Sequence, residues 1–362
     1  MRLFQNSGVY PSYLRRLNRL AANAKDFGER RRIFLEDRYG ALHFLEPVLD
    51  GDRQAFFTNA DDEILQRLWA SGAGMKGRPS LKQILLAQIE QHRTEVFYNL
   101  DPMSYPSAFV RELPGCVKTT LCWRAAPSGA LDLTGYGAVL GNFPSILEAW
   151  RDKGCRAEMF YPALDPVMTS FGHDDRPIDV LFIGAYSRHH ARRARTLEEV
   201  ANLAQIRKVV FHLDASRLTA MSESVVGRFL PLSRYRRPEA LARIARPSVF
   251  GRQQYDLIGK SKIVLNGAID MAGLDRGNMR CFEAMGCGAL LLSDAGNYPE
   301  GMTPGATMEA YASPQEAVEL IAHCLENWRQ SAETAARGRK KISELYNKSR
   351  QWQDFINIVA RI

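Results

Sequence analysis

The stretch Asp275-Arg276-Gly277-Asn278-Met279-Arg280-Cys281-Phe282-Glu283-Ala284-Met285-Gly286-Cys287-Gly288 runs straight into Ala289-Leu290-Leu291-Leu292. Gly277-Asn278 supplies a turn and a cap, so a helix is expected from Met279. Gly286 and Gly288 stop it. The apolar run that follows is strand-sized and uninterrupted. A helix start exposes unbonded N–H groups at the positive end of its dipole, which is an anion site. Glu283 falls one turn into the helix, where a carboxylate can accept hydrogen bonds from a pair of sugar hydroxyls. Asp275 lies just outside, so two acids bracket one helix start.

Outward from this unit, short β-type runs alternate with helical stretches. In the first half, strands are expected near Ala41–Phe44, Glu95–Tyr98, Val117–Cys122, Ala138–Leu140 and Ala157–Phe160, after a short opening strand before the loop at Asn6. In the second half they are expected near Asp179–Ile183, Lys208–Leu213, Lys262–Leu265 and Ala289–Leu292. Helical patterns such as Tyr13–Ala22, Leu81–Gln91 and Thr196–Ala204 lie between. Near-continuous apolar strands separated by helices imply parallel sheets covered on both faces, so the fold class is α/β with two doubly wound, Rossmann-like units. Pro162, Pro166, Gly172 and Pro177 cluster without periodicity and mark a linker. Residues 1–165 and 166–344 are the expected domains. Ser313, Pro314 and Glu316 signal a capped helix, and Trp352, Phe355, Ile356 and Val359 the apolar side of a last one.

Composition narrows the function classes. Of 362 residues, 46% are hydrophobic and 24% charged, which is ordinary globular composition and excludes a disordered chain. No run approaches the roughly 18–20 apolar residues of a membrane span. The first residues lack the apolar core of a signal peptide, so a cytoplasmic location is expected. Six cysteines form no C-x-x-C pair and are expected as reduced, packed thiols. Forty-eight basic against 40 acidic side chains leave +8, which favours anionic partners. Nucleic acid is not expected among them, because no aromatic ladder, finger or helix-turn-helix pattern accompanies the charge.

Phe282-Glu283-Ala284-Met285-Gly286-Cys287-Gly288-Ala289-Leu290-Leu291-Leu292-Ser293 resembles the FEAMAxGxPVVxS block of GT-B-fold glycosyltransferases of the group-one type. The likeness extends from Asp179 to about Asn327. In the first half only the alternating pattern and Phe160-Tyr161-Pro162-Ala163-Leu164-Asp165-Pro166 agree. The resemblance implies two Rossmann-like domains facing a cleft, with residues 345–362 returning to the first. It implies a sugar moved from a nucleotide-sugar donor to an acceptor hydroxyl, with no cofactor and no obligatory metal. Glu283 would hold the donor ribose and Asp275, an Asp where the family has Glu, would lie beside the transferred sugar.

Around them, the helix start at Gly277, Asn278 and Met279 is expected to bind diphosphate, and Asn266, at the end of its strand, the donor sugar. Lys260 or Lys262 would neutralise phosphate. The first strand of the second half ends in Gly184, with Arg188 the expected basic residue of the catalytic set and Arg192 second to it. On the acceptor side stand Gly8 and Tyr10 in the first loop, Asp101 as acceptor contact or base, and Trp123 as a pocket wall. Asp50-Gly51-Asp52 matches a metal-binding D-x-D pattern but reads as a turn. Acceptors of carbohydrate, lipid-linked or protein type fit the family, as does bacterial polysaccharide, lipopolysaccharide or glycoconjugate assembly. Arg15, Arg16, Arg19 and Arg30 to Arg32 are candidates for contact with anionic membrane. The same fold would also serve an epimerase, a hydrolase or a binding protein without turnover.

Overall fold

The computed structural model describes residues 1–127, 129–229, 231–268 and 272–362. The chain divides into two compact units, Met1–Ala163 with Lys348–Ile362, and Leu164–Asn347.

The first unit is built on six parallel strands: β1 (Leu3–Asn6), β2 (Ala55–Thr58), β3 (Val96–Asn99), β4 (Thr119–Trp123), β5 (Ala138–Gly141) and β6 (Ala157–Met159), in the order β2-β1-β3-β4-β5-β6. β1 is fully buried and pairs Leu3 with Ala55 on one side and with Val96 on the other. The order reverses between β1 and β3, the position where open α/β sheets leave a crevice at their carboxyl edge. That edge is pinned by buried asparagines. Asn6 Nδ2 donates to Asn99 Oδ1 at 2.9 Å, Asn99 Nδ2 to the Tyr136 hydroxyl at 2.7 Å, and Asn59 Nδ2 to the Ser7 carbonyl at 2.9 Å.

Ala41–Phe44, expected as a strand, is instead a 3-10 turn over Ala41–His43. Its apolar side chains are buried as a strand's would be, but its carbonyls go to side chains. Lys348 Nζ donates to the carbonyls of Ala41, Leu42 and Phe44 at 2.8, 3.0 and 2.8 Å. Lys348 opens the last helix, Lys348–Ala360, whose buried residues are Lys348, Gln351, Phe355 and Ile358. The expected face through Trp352, Ile356 and Val359 is thus rotated, sharing only Phe355.

The second unit carries β7 (Ile178–Ala185), β8 (Val209–Asp214), β9 (Ala245–Arg246), β10 (Ser261–Leu265), β11 (Leu290–Asp294) and β12 (Glu309–Tyr311) in the all-parallel order β12-β11-β10-β7-β8-β9. This is the order of the dinucleotide-binding doubly wound sheet, with its reversal between β7 and β10. Val180, Phe182, Phe211, Ile263, Leu290 and Leu292 fill the core with Leu197 and Ile321 from the covering helices. Ser313 Oγ caps Pro314–Glu326 by accepting from Glu316 N at 3.1 Å. The expected linker is part of this unit. Asp165 caps a 3-10 helix over Pro166–Phe171, and Met168 lies against Gly286 so closely that a β-carbon there would come within 2.6 Å of its sulfur.

Candidate functional site

The helix Met279–Gly286 starts at the carboxyl edge of the second sheet, beside the end of β10. Gly277 enters it with φ +109°, a conformation that an L side chain resists. Asn278 is the cap residue, yet its side chain makes no capping bond. Asn278 Nδ2 instead donates to Asn266 Oδ1 at 3.3 Å, and Asn278 Oδ1 accepts from the Cys281 thiol at 3.5 Å. Burial pushes that thiol up to about 12, so it stays protonated and can donate. The first N–H groups of the helix are therefore left without a side-chain acceptor of their own, which is how a helix start takes an anion.

Asn266 was expected to meet a sugar. Its amide is engaged inside the unit: Nδ2 donates to Ser293 Oγ at 3.0 Å and its oxygen accepts from Asn278. It positions the helix start. Glu283 is buried, but in a polar setting. Arg280, one turn earlier, pairs with its Oε2, and Gln254 hydrogen-bonds to both. Burial raises the Glu283 carboxyl above the usual range, while Arg280 and Gln254 pull it back. Asp275 is buried and fixed by a parallel β-bridge to Asn297 just before Gly277.

Residues not singled out in the sequence hold this loop. Arg276 is buried and pairs with Asp294 at 2.8 Å, while its guanidinium also donates to the carbonyls of Gly273, Asp275 and Ala295. Asp294 Oδ1 accepts from Ala268 N at 2.8 Å. The pair ties the segments after β10 and β11 together. The signal was a lone Asp at a strand's carboxyl end, which sequence spacing alone does not separate from a turn residue.

The basic candidates separate. Arg188 donates to the carbonyls of Arg234 and Arg236 at 2.8 and 2.9 Å, and Arg192 to that of Ala312 at 2.8 Å. Arg193 donates to the carbonyl of Ala185 at the end of β7. Its stem crosses Gly267, where a β-carbon would lie 3.1 Å from Arg193 Cγ. It is the arginine at the β7/β10 reversal. Gly184 packs on the Phe182 ring, which a β-carbon would approach to 3.0 Å.

Lys260 and Lys262 belong to the other end of the sheet, which corrects their expected phosphate role. Lys260 precedes β10 and pairs with Asp256 at 2.8 Å, and Lys262 pairs with Asp179 at 2.7 Å. A strand rises about 3.3 Å per residue, so the Lys260 and Lys262 backbones lie roughly 16 and 10 Å from the β10 terminus.

On the first unit, the structure gathers Gly8 and Asp101. A β-carbon on Gly8 would sit 3.2 Å from the Asp101 carboxyl carbon. Asp61, after β2, joins them: its Oδ2 accepts from Val9 N at 2.9 Å, and its Oδ1 is buried without a partner. Burial first, and Asp101 in addition, push the Asp61 carboxyl up to about 6, against a hydrogen bond from Val9 that lowers it. Tyr10 is exposed, edge-on to Tyr39. Trp123 is half-buried against His43 at 4.4 Å. Burial lowers the Arg124 pKa, which Asp101 and Tyr10 oppose, so these charges share one edge.

Asp50-Gly51-Asp52 forms the turn before β2, with Gly51 at φ +70° and Asp52 accepting from Gln54 N. Among the described residues no three His, Cys, Asp or Glu side chains converge to hold a metal, and no helix is long and apolar enough to cross a membrane. All six cysteines are free thiols.

Residues 187–357 match the family model described as glycosyl transferase-like. No curated protein matches the sequence. Among solved structures, the chain is similar to Anabaena Alr3699/HepE in complex with UDP and glucose, at 12% identity and TM-score 0.59 over 100% of both chains. It is similar to the sucrose-phosphate synthase of Thermosynechococcus elongatus, at 12% identity and TM-score 0.54 over 99% of this chain and 98% of that one. A glycosyltransferase of Rickettsia africae matches at 10% identity and TM-score 0.52 over 98% and 97%. Two all-parallel doubly wound sheets, the second in the dinucleotide-binding strand order, aligned end to end with these structures, give the chain the GT-B glycosyltransferase fold, with the glycosyl transferase-like family pattern running through residues 187–357.

Proposed function

We propose that the chain transfers a hexosyl group from a nucleoside diphosphate sugar to an acceptor hydroxyl. The observation that carries this reading is the start of the helix Met279–Gly286, left without a side-chain cap one turn ahead of a buried, arginine-paired Glu283. A diphosphate at Gly277, Asn278 and Met279 meets backbone N–H groups and a helix dipole, with Arg193 at the adjoining sheet reversal. Glu283 has carboxylate lone pairs to spare beyond Arg280, enough to accept from ribose hydroxyls. Asp275 stands where the transferred sugar would follow. The UDP complexes among the similar structures make uridine diphosphate sugars the first donors to test.

The acceptor falls to the first unit, with Gly8, Tyr10 and Trp123 as its wall and Asp101 as a hydroxyl contact. Asp61 takes the proton: it ionises near neutrality and keeps one oxygen without a partner. The acceptor oxygen bonds to the anomeric carbon, that carbon's bond to phosphate breaks, and the electron pair leaves with the nucleoside diphosphate. Charge on the leaving group is met by the helix start and arginine, so the reading assigns no divalent cation and predicts unchanged turnover in excess EDTA. We place the acceptor among carbohydrate, lipid-linked or protein hydroxyls, and the enzyme at the cytoplasmic side of a membrane in glycoconjugate assembly.

A thermal-shift screen against UDP-, GDP-, dTDP-, ADP- and CMP-sugars tests donor binding. A donor at about 100 times its Kd stabilises by about 2.7 kcal/mol, a shift of about 5–10 °C for a unit of this size. The shift is expected to vanish in Glu283→Gln. A Glu283→Gln protein that melts normally and keeps the wild-type shift would remove Glu283 from the site.

A further inference from the structure

The excursion that follows β8 and runs through β9, residues 215–246, holds seven arginines against two glutamates, a net +5 of the chain's +8. It also holds the two most exposed large apolar side chains among the described residues, Phe229 at 87% and Val225 at 77%. Leu218 and Met221 are exposed beside them. Leu218 and Met221, three residues apart in the helix Arg217–Glu223, share one side of it, and Val225 follows just past its extended C-cap Ser224. Phe229 ends the 3-10 turn Val226–Phe229, which packs on that helix. Arg217, Arg234 and Arg246 are exposed in the same excursion, Arg234 over the Tyr235 ring. The fold holds the excursion in shape without hiding it. Arg236 donates to the carbonyls of Ser222 and Gly227, Arg237 pairs with Glu223, and Arg188 clasps the carbonyls of Arg234 and Arg236.

We infer that this excursion docks on an anionic lipid surface. Apolar side chains that enter the headgroup boundary, ringed by arginines that meet its phosphates, are the pairing such a surface selects. A small soluble anion would be met by the charge alone and leave Phe229 and Val225 in water. Of the arginines expected from the sequence to touch membrane, Arg15 and Arg19 are exposed and four are engaged within the first unit. Arg30 is buried against Asp62, Arg16 pairs with Asp37, Arg32 with Glu36, and Arg31 lies over Phe27 and Phe56. The inference stands apart from the transferase reading, since none of these residues belongs to the donor or acceptor sites.

Co-sedimentation of the full chain with phosphatidylcholine vesicles, with and without about one-third phosphatidylglycerol, tests it in about 0.1 M and about 1 M salt. Binding is expected only to the anionic vesicles, and to fall in high salt. Val225→Ser with Phe229→Ser is expected to lower partitioning at least about tenfold, and Arg217→Glu with Arg234→Glu by at least about tenfold. Arg15→Glu with Arg19→Glu should leave it unchanged. All three variants change exposed side chains, and unaltered melting temperatures would show that they fold. No binding to anionic vesicles, or binding that both patch variants retain, overturns the inference. A dimer in light scattering that Val225→Ser with Phe229→Ser converts to monomer, with no vesicle binding, would assign the patch to a second copy instead.

Discussion

Two buried carboxylates show how neighbours decide what burial does. Glu283 has Arg280 one turn away, and the pair offsets part of its desolvation, leaving the carboxyl raised. Asp61 is pushed up to about 6 by burial first and by its acidic neighbour Asp101 in addition, with only backbone N–H groups, those of Val9 and of Asp61 itself, to oppose the shift. The sign for stability follows. A carboxyl raised above its ordinary value, about 3.9, favours the folded state while protonated. That contribution is whole below about pH 4 and is lost as pH rises through 6. Function needs the other form. Transfer is expected to fall as pH drops below about 6, and Asp61→Asn, which keeps an oxygen for Val9 N, is expected to slow it at least about 100-fold. The same variant should melt at a higher temperature than wild type at pH 7 and lose that advantage near pH 4. A flat pH–rate profile between 5 and 7, or an Asn variant that melts lower at pH 7, would deny Asp61 its role.

At the scale of elements, the critical one is the turn into Met279–Gly286. Gly277 at φ +109° sets the direction from which the helix starts. Gly277→Ala places a β-carbon in a region costing about 1–2 kcal/mol. The expected result is a drop of several degrees in melting of the second unit and loss of most of the donor-induced shift, because relaxing the strain re-aims the first N–H groups. Retention of the full shift would mean that the donor does not use this turn. The turn was legible in the sequence because Gly-Asn before an apolar helix and two glycines after it have few other solutions. So were the central strands, whose apolar runs need cover on both faces. β2, β9 and β12 went unread. All three lie at sheet edges, where short, half-covered strands carry little periodic signal. Arg193 and the Arg276–Asp294 pair were unread for another reason: a guanidinium's target is set by tertiary geometry, and Arg188, Arg192 and Arg193 look alike in sequence.

At the scale of the molecule, the sheet of the first unit depends on chain from the opposite terminus. Tyr98 of β3 packs on Phe355 at 5.1 Å, and Phe160 on Phe355 at 6.0 Å. Lys348 is buried with its ammonium on three carbonyls and on Gln351 Oε1 at 3.1 Å. This cation lowers the pKa of its buried neighbour His43, already driven down by burial, to about 3, so His43 stays neutral. A buried ammonium satisfied on all sides costs little beyond its desolvation, but removing it orphans the acceptors. Lys348→Met keeps the stem and deletes the donors, and about 3–5 kcal/mol of stability is expected to go with them. The loss belongs to one unit. Global denaturation would blur it, since two compact units need not unfold together. Amide exchange resolves it: β1, β3 and β4 should lose protection while β7 and β10 keep theirs, and donor-induced stabilisation of the second unit should survive. Equal loss across both sheets would show that the units stand or fall as one, and that the last helix serves more than the sheet it covers.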